Sequence, residues 1–458
     1  MHSVVVISDL HIASGPLDDC DAELQSHFES FVDSLSRRDV PIELVVNGDF
    51  FDFVQAEPWS GSDLESWSDD DIPLCFTEAQ SVAKLESIHA SHPGIFDALK
   101  QFLHACPDNR ITVLPGNHDV DFYWDRVRKR VCDYVGPVNF FLEQVYRPTP
   151  CSSVWIEHGH QSDPVNCFVS GKKPYWSRTS PPIFKDHGGT PRLYECTGTR
   201  FMIKFLNRLD QDYPFVDNVK PFSRFVKIFG ASAFVRNYGT MKVAVAVGRM
   251  LAYLYATAVE HEADVLSVKK EAHNMVYEYL SRQFKMMPKA RVDALVARMA
   301  EGGFIVEKPL TMYLKTYISA EPLLVFLCDH PELLDEIEVP DASFLGTSLP
   351  GTLTLATGFT VDETKELTET AGRALAAKDI DLVVMGHTHE VIQRSSRAYI
   401  NTGCWIRYYR FDPNEKTVAW EVLKSDSYQR FPYELNYVEI TPGKSATAQL
   451  STFRQRHD

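Results

Sequence analysis

Five short polar clusters, each directly behind a run of apolar residues, restrict this chain more than any other feature. They are Asp9-Leu10-His11, Gly48-Asp49-Phe50-Phe51-Asp52, Gly116-Asn117-His118-Asp119, His158-Gly159-His160 and Gly386-His387-Thr388-His389. The runs before them, Val4 to Ser8, Leu44 to Asn47, Ile111 to Leu114, Ser153 to Glu157 and Asp381 to Met385, have the length of strands and are too short for helices. Between the first three, apolar residues recur at helical spacing: Leu24, Phe28, Phe31 and Leu35 within Ala22 to Ser36, then Phe96, Leu99 and Leu103 within Ile95 to Leu103. The alternation predicts an α/β fold with its chemistry on loops at the carboxyl ends of the strands. Tyr399 to Asn401 and Thr417 to Leu423 read as further strands of the sheet.

A lone Asp or His at a strand end is ordinarily a turn or cap residue. Five such clusters in series are a different matter, because each delivers oxygen or imidazole donors and most carry a glycine that lets the backbone turn tightly. Carboxylates can bridge two cations and neutralise their charge, while imidazoles favour a transition metal over magnesium or calcium.

In order and spacing these clusters resemble the calcineurin-like metallophosphoesterase family, whose motifs read DxH, GDxxD, GNHD, a strand-borne His before Gly, and GHxH. The resemblance covers residues 1 to about 165 and about 350 to 425. The forms GDFFDF, GNHD and HGH are similar to the bacterial branch that includes UDP-2,3-diacylglucosamine hydrolases, from which a long insertion departs.

The resemblance implies an α/β fold of the metallophosphoesterase type, a β-sandwich flanked by helices. It also implies that Asp9, His11 and His389 hold one metal, that Asn117, His158 and His387 hold the other, and that Asp49 bridges them. A hydroxide between the ions would attack phosphorus in line. His118 is then the acid for the leaving oxygen, with Asp119 as its orienting carboxylate. Asp52 is expected to organise its loop and shape the site, and His160 to support the second metal's ligands or contact substrate. The cofactors implied are two divalent ions; manganese is the working choice, with iron, zinc, cobalt or magnesium also admitted by the donors.

More than two hundred residues separate the last two clusters, and they have a different texture. Thr199 to Leu209, Phe222 to Val235, Met241 to Phe284 and Arg291 to Met299 carry helical spacing, behind a loop rich in Pro, Gly, Ser and Thr at Lys172 to Pro191. This predicts a helical insertion over 166–345, a cap or a substrate- or partner-binding domain, within a discontinuous catalytic domain of 1–165 and 346–458. A second irregular stretch, Pro58 to Pro73, is acidic, carries Trp59 and Trp67, and follows directly on the second cluster.

A formal charge of −16 disfavours a protein that coats long nucleic acids. Nine scattered cysteines without CxxC pairs indicate reduced thiols, and with an amino-terminal apolar run too short for a signal peptide they point to the cytoplasm. Val243 to Val259 is interrupted by Arg249 and falls short of a membrane span. Cys404 reads as a small buried residue, and Gly171-Lys172-Lys173 lacks the rest of a phosphate loop. The substrates that fit are phosphodiesters, phosphomonoesters or pyrophosphates of a small molecule, nucleotide or lipid. Peripheral membrane contact follows if aromatic residues of the insertion form an apolar groove. Two other readings share the fold: a scaffold whose insertion binds a partner, and a nuclease with a local basic groove.

Overall fold

The computed structural model describes residues 3–59, 76–149, 151–220 apart from 164–165, 171–172, 175, 187, 197, 200–201, 204–206 and 211–216, then 363–393, 398–410, 428–442 and 446–454. These residues fall within one compact unit, which draws on Met1–Pro221, Val361–Phe411 and Lys424–Asp458.

The chain begins with β1 (Ser3–Ile7), α1 (Ala22–Ser36), β2 (Ile42–Asn47), α2 (Glu78–Ser91), α3 (Pro93–Ala105), β3 (Arg110–Leu114), α4 (Asp125–Val135), β4 (Asn139–Phe140) and β5 (Val154–Ile156). Short strands follow: β6 (Val169–Ser170) pairs with β7 (Lys173–Pro174), β8 (Ile183–Lys185) with β9 (Pro191–Leu193), and after α5 (Asn207–Asp210) comes β10 (Val219–Lys220). The carboxyl-terminal part supplies α6 (Glu363–Leu375), β11 (Leu382–Met385), β12 (Val391–Gln393), β13 (Tyr399–Thr402), β14 (Tyr409–Arg410), β15 (Asn436–Thr441) and β16 (Thr447–Thr452). The loop expected at Lys172 to Pro191 thus carries short strands.

Two sheets carry the architecture. One has the order β16-β15-β1-β2-β3-β4 and is parallel from β1 to β4, with β15 and β16 antiparallel at one side. The other has the order β12-β13-β11-β5, with β5, β11 and β13 parallel. The run Val4-Val5-Val6-Ile7 is apolar on both faces because β1 is buried on both. Val4 and Val6, with Val45 and Leu114, pack against Val154, Ile156, Leu382, Val384 and Ile400 of the other sheet. Val5 and Ile7, with Leu44, Val46, Ile111 and Val113, pack instead with Leu24, Phe28, Phe31 and Leu35 of α1 and with Ile95, Phe96, Leu99 and Phe102 of α3. On the far side of the second sheet, Leu367, Ala371 and Ala374 of α6 bury Val383, Met385 and Tyr399. The result is the helix-flanked β-sandwich expected from the sequence.

Local signals set the helix starts. Asp21 caps α1 by accepting from the backbone N–H groups of Glu23 and Leu24, Thr77 and Gln80 form a reciprocal capping box on α2, and Pro93 opens α3 where its missing N–H has no partner to lose. Phe168, Trp176, Leu193, Cys196 and Ile203, all within the span expected to be the insertion, bury their side chains in the helix-side core. Residues 221–362, with the helices expected there, Thr417 to Leu423, and the greater part of the Pro58 to Pro73 loop lie outside the described residues. So does Val243 to Val259; no described helix is long and apolar enough to cross a membrane. The seven cysteines among the described residues form no disulfide, and Cys404 is buried.

Candidate metal centre

Each polar cluster sits just past the carboxyl end of a strand: Asp9 and His11 after β1, Asp49 and Asp52 after β2, Asn117 and His118 after β3, His158 and His160 after β5, His387 and His389 after β11. Because β1 to β3 are parallel neighbours in one sheet, and β5 and β11 in the other, all five open on the same edge. Within Asp49-Phe50-Phe51-Asp52-Phe53 the three phenylalanines are at most 2% exposed and lie in the helix-side core. Phe51 stacks on Phe96 with ring centroids 5.3 Å apart. The rings pin the loop and leave the intervening carboxylates to face the cluster.

The donors converge in two groups that share Asp49. Ligand atoms of Asp9, His11, Asp49 and His389 lie within 4.8 Å of one another, as do those of Asp49, His158 and His387. His11 Nε2 and His389 Nε2 are 3.0 Å apart, His389 Nε2 is 3.3 Å from Asp9 Oδ1, and His158 Nε2 is 3.0 Å from Asp49 Oδ2. The His11 and His389 nitrogens are close enough for one ion to reach both.

Three imidazoles are anchored by the nitrogen that faces away from the shared donors. His158 Nδ1 donates to the Asn47 carbonyl (2.9 Å), His11 Nδ1 meets Asp52 Oδ2 (3.0 Å), and His387 Nε2 meets Asp163 Oδ2 (2.9 Å). An imidazole whose proton is engaged at one nitrogen offers a lone pair at the other, the arrangement that orients metal ligands. Asn117 Oδ1 is buried and has no hydrogen-bond partner among the described residues, which suits an oxygen meant for a cation. The donor set therefore fits divalent metal.

Backbone conformation sets these residues apart as well. Asp9, His11, Asp49, His387 and His389 have φ of 56°, 47°, 49°, 72° and 57°. The left-handed region costs a non-glycine residue about 1–2 kcal/mol, and such outliers persist where the surroundings hold them for a purpose. The close turns need glycine. Gly48 has φ +82°, and a Cβ there would run into the His158 ring; a Cβ on Gly386 would run into the Asp9 carboxylate and the Ser8 hydroxyl. Gly48→Ala is accordingly expected to lower the thermal midpoint and reduce bound metal together, which calorimetry and metal analysis on one preparation would check.

Electrostatics follow the packing. Burial works against ionisation of Asp49, but His158 and His118 beside it hold its carboxyl well below the usual range. Burial likewise opposes charge on His158, yet Asp49 and Asp9 raise it to about 10. His118, again against burial, is raised to about 9 by Asp52 and Asp49. His160 goes the other way: burial, with His158 and His387 alongside, keeps it well below the usual value.

The aspartates near His118 take parts different from those expected. Asp52 Oδ2 meets His118 Nδ1 at 2.7 Å, so the carboxylate on the His118 ring is Asp52. Asp119 instead accepts from the backbone N–H groups of Gly116 (2.5 Å) and Phe50 (2.9 Å) and ties the turns after β3 and β2 together. His160 packs its ring 4.3 Å from Trp176 and 5.3 Å from His158, with neither nitrogen hydrogen-bonded to a described residue. Sequence reasoning missed Asp163, whose only signal is its place on the loop after His160. It also missed Ser8, whose hydroxyl donates to Asp9 and meets Thr402 Oγ1 at 2.5 Å.

A mixed α/β sandwich with a buried His/Asp cluster at its strand ends is thus the class that fold and site define. Residues 2–219, slightly under half of the chain, match the family model described as calcineurin-like phosphoesterase. His387 and His389 lie beyond that span and join the same cluster. No curated protein and no solved structure matches the chain.

Proposed function

We propose that this protein hydrolyses phosphodiester, phosphomonoester or pyrophosphate bonds with two divalent metal ions. The observation that carries the reading is the pair of donor groups sharing Asp49, with five of their residues in left-handed backbone. When bound, such ions supply Lewis acidity toward the phosphoryl oxygens and a strong nucleophile from water near neutral pH.

In this reading Asp9, His11 and His389 serve one ion, Asn117, His158 and His387 the other, and Asp49 both. Asp52 holds His118 at Nδ1 and leaves Nε2 to give its proton to the departing oxygen. Asp119 keeps the two turns in shape, and His160 backs the His158 and His387 rings against Trp176. Manganese is the metal proposed. The likeness of GDFFDF, GNHD and HGH to the UDP-2,3-diacylglucosamine hydrolase branch supports a lipid-linked pyrophosphate among the substrates. Rapid turnover of small diesters with no response to lipid would count against it.

The test is an assay of chelated protein on bis-p-nitrophenyl phosphate and p-nitrophenyl phosphate, with and without added manganese. Restored hydrolysis supports the proposal. If manganese restores nothing above the level of an Asp49→Ala control on esters, pyrophosphates and lipid-linked substrates alike, the reading fails and a scaffold role takes its place.

Metal loading should also release protons. With His158 raised to about 10 in the metal-free site, its ring is protonated at neutral pH and must lose that proton to bind. Apparent affinity therefore rises with pH up to about 10. Titration calorimetry in two buffers of different ionisation enthalpy measures the release, and equal heats in both would contradict it.

A further inference from the structure

Away from the imidazoles, several loops meet in a second buried polar node. Asp19 comes from the loop between β1 and α1, Gln55 from the loop after β2, Asp210 from the end of α5, and Asp217 with Asn218 from the approach to β10. Tyr428 Oη donates to Asp19 Oδ1 at 2.6 Å, and Asn218 Nδ2 donates to Asp19 Oδ2 at 2.8 Å and to Asp217 Oδ1 at 3.1 Å. Gln55 Nε2 donates to Asp217 Oδ2 at 2.5 Å and, weakly, to Asp210 Oδ2 at 3.4 Å. Two side-chain amides thus hold three carboxylates together.

No Lys or Arg among the described residues pairs with Asp19 or Asp210, which are 6% and 4% exposed. Burial, with Asp217 alongside, pushes both carboxyls well above the usual range. Carboxylates gathered out of water without a counter-charge are costly. A separate observation concerns one atom: Asp210 Oδ1 is sealed from solvent and has no hydrogen-bond partner among the described residues. Buried oxygens are normally satisfied, and one that is not points to a missing ligand.

We propose that this node binds a hard divalent cation of the calcium class, distinct from the imidazole centre. Its donors are all oxygens, with no imidazole or thiolate to draw a softer metal. They come from separate loops, and calcium tolerates such irregular geometry where magnesium requires a near-ideal octahedron. Reversing the Gln55 amide exchanges Nε2 for Oε1 and turns the donor between Asp210 and Asp217 into a further ligand oxygen. A cation there would fasten Asp210, Asp217 and Asn218 to the loops that follow β1 and β2, which also bear Asp9, His11 and Asp52.

The proposal is tested on the full chain loaded with manganese, by equilibrium dialysis against radioactive calcium and by thermal unfolding with and without calcium. One calcium per chain is expected to bind in addition to the manganese and to raise the unfolding midpoint. Asp19→Asn and Asp210→Asn should each weaken that binding at least tenfold. Absence of bound calcium in the wild type overturns the proposal, and so does binding that both variants retain unchanged. Manganese counted in the same samples keeps this result separate from the two-metal reading.

Discussion

Asp49→Asn is expected to lose about ten-thousand-fold in kcat/KM and most of the bound metal. The substitution keeps the shape of the side chain and removes the charge that both donor groups share. Asp49 Oδ2 faces His158 at 3.0 Å and His11 at 3.9 Å, while Oδ1 accepts the backbone N–H of His118. An amide at that position cannot neutralise two adjacent dications, and its NH2 group would turn a donor toward lone pairs. The fold itself should survive, because the carboxylate is set by Phe50, Phe51 and Phe53 and not the reverse. Metal analysis, kinetics and a circular dichroism melt on the same preparation check all three statements.

The second large effect is predicted at His118. His118→Ala should reduce kcat by about a hundred- to ten-thousand-fold on substrates that leave as alkoxides and far less on p-nitrophenyl esters, whose leaving group departs without a proton. Metal content should stay as in the wild type. A general acid acts while protonated, so wild-type kcat on alkyl substrates should fall as pH rises through the His118 value, about 9 in the metal-free protein. Bound dications favour deprotonation and move that limb downward. Asp52→Asn should move it further in the same direction, since Asp52 is the carboxylate on His118 Nδ1. An alkyl-substrate profile unchanged by His118→Ala would remove this residue from the proton transfer.

What the sequence disclosed was whatever depends on neighbours along the chain. The strand ends were legible because short apolar runs lead into glycine and donor residues, and α1 because Leu24, Phe28, Phe31 and Leu35 recur at helical spacing and are all buried. α2 was missed. Its buried face includes Ser81 and Lys84 beside Val82, Leu85 and Ile88, and the Lys84 ammonium is satisfied by the Phe53 carbonyl and the Phe76 ring, partners that periodicity cannot show. β15 and β16 were missed because one face of each is polar and because β15, on which β16 folds back, pairs with β1, more than four hundred residues earlier.

The candidate site divides in the same way. Its donors stood out as residue types at strand ends, but the partner of each ring nitrogen did not. That Asp52 and not Asp119 meets His118, or that Asp163 holds His387, depends on where loops from different strands cross.

Anomalous X-ray scattering from crystals of the manganese-loaded protein would locate the ions themselves. Two manganese peaks about 3.5–4 Å apart are predicted, one beside Asp9, His11 and His389, the other beside Asn117, His158 and His387, with Asp49 between them. A single peak, or manganese bound away from Asp49, would contradict the account.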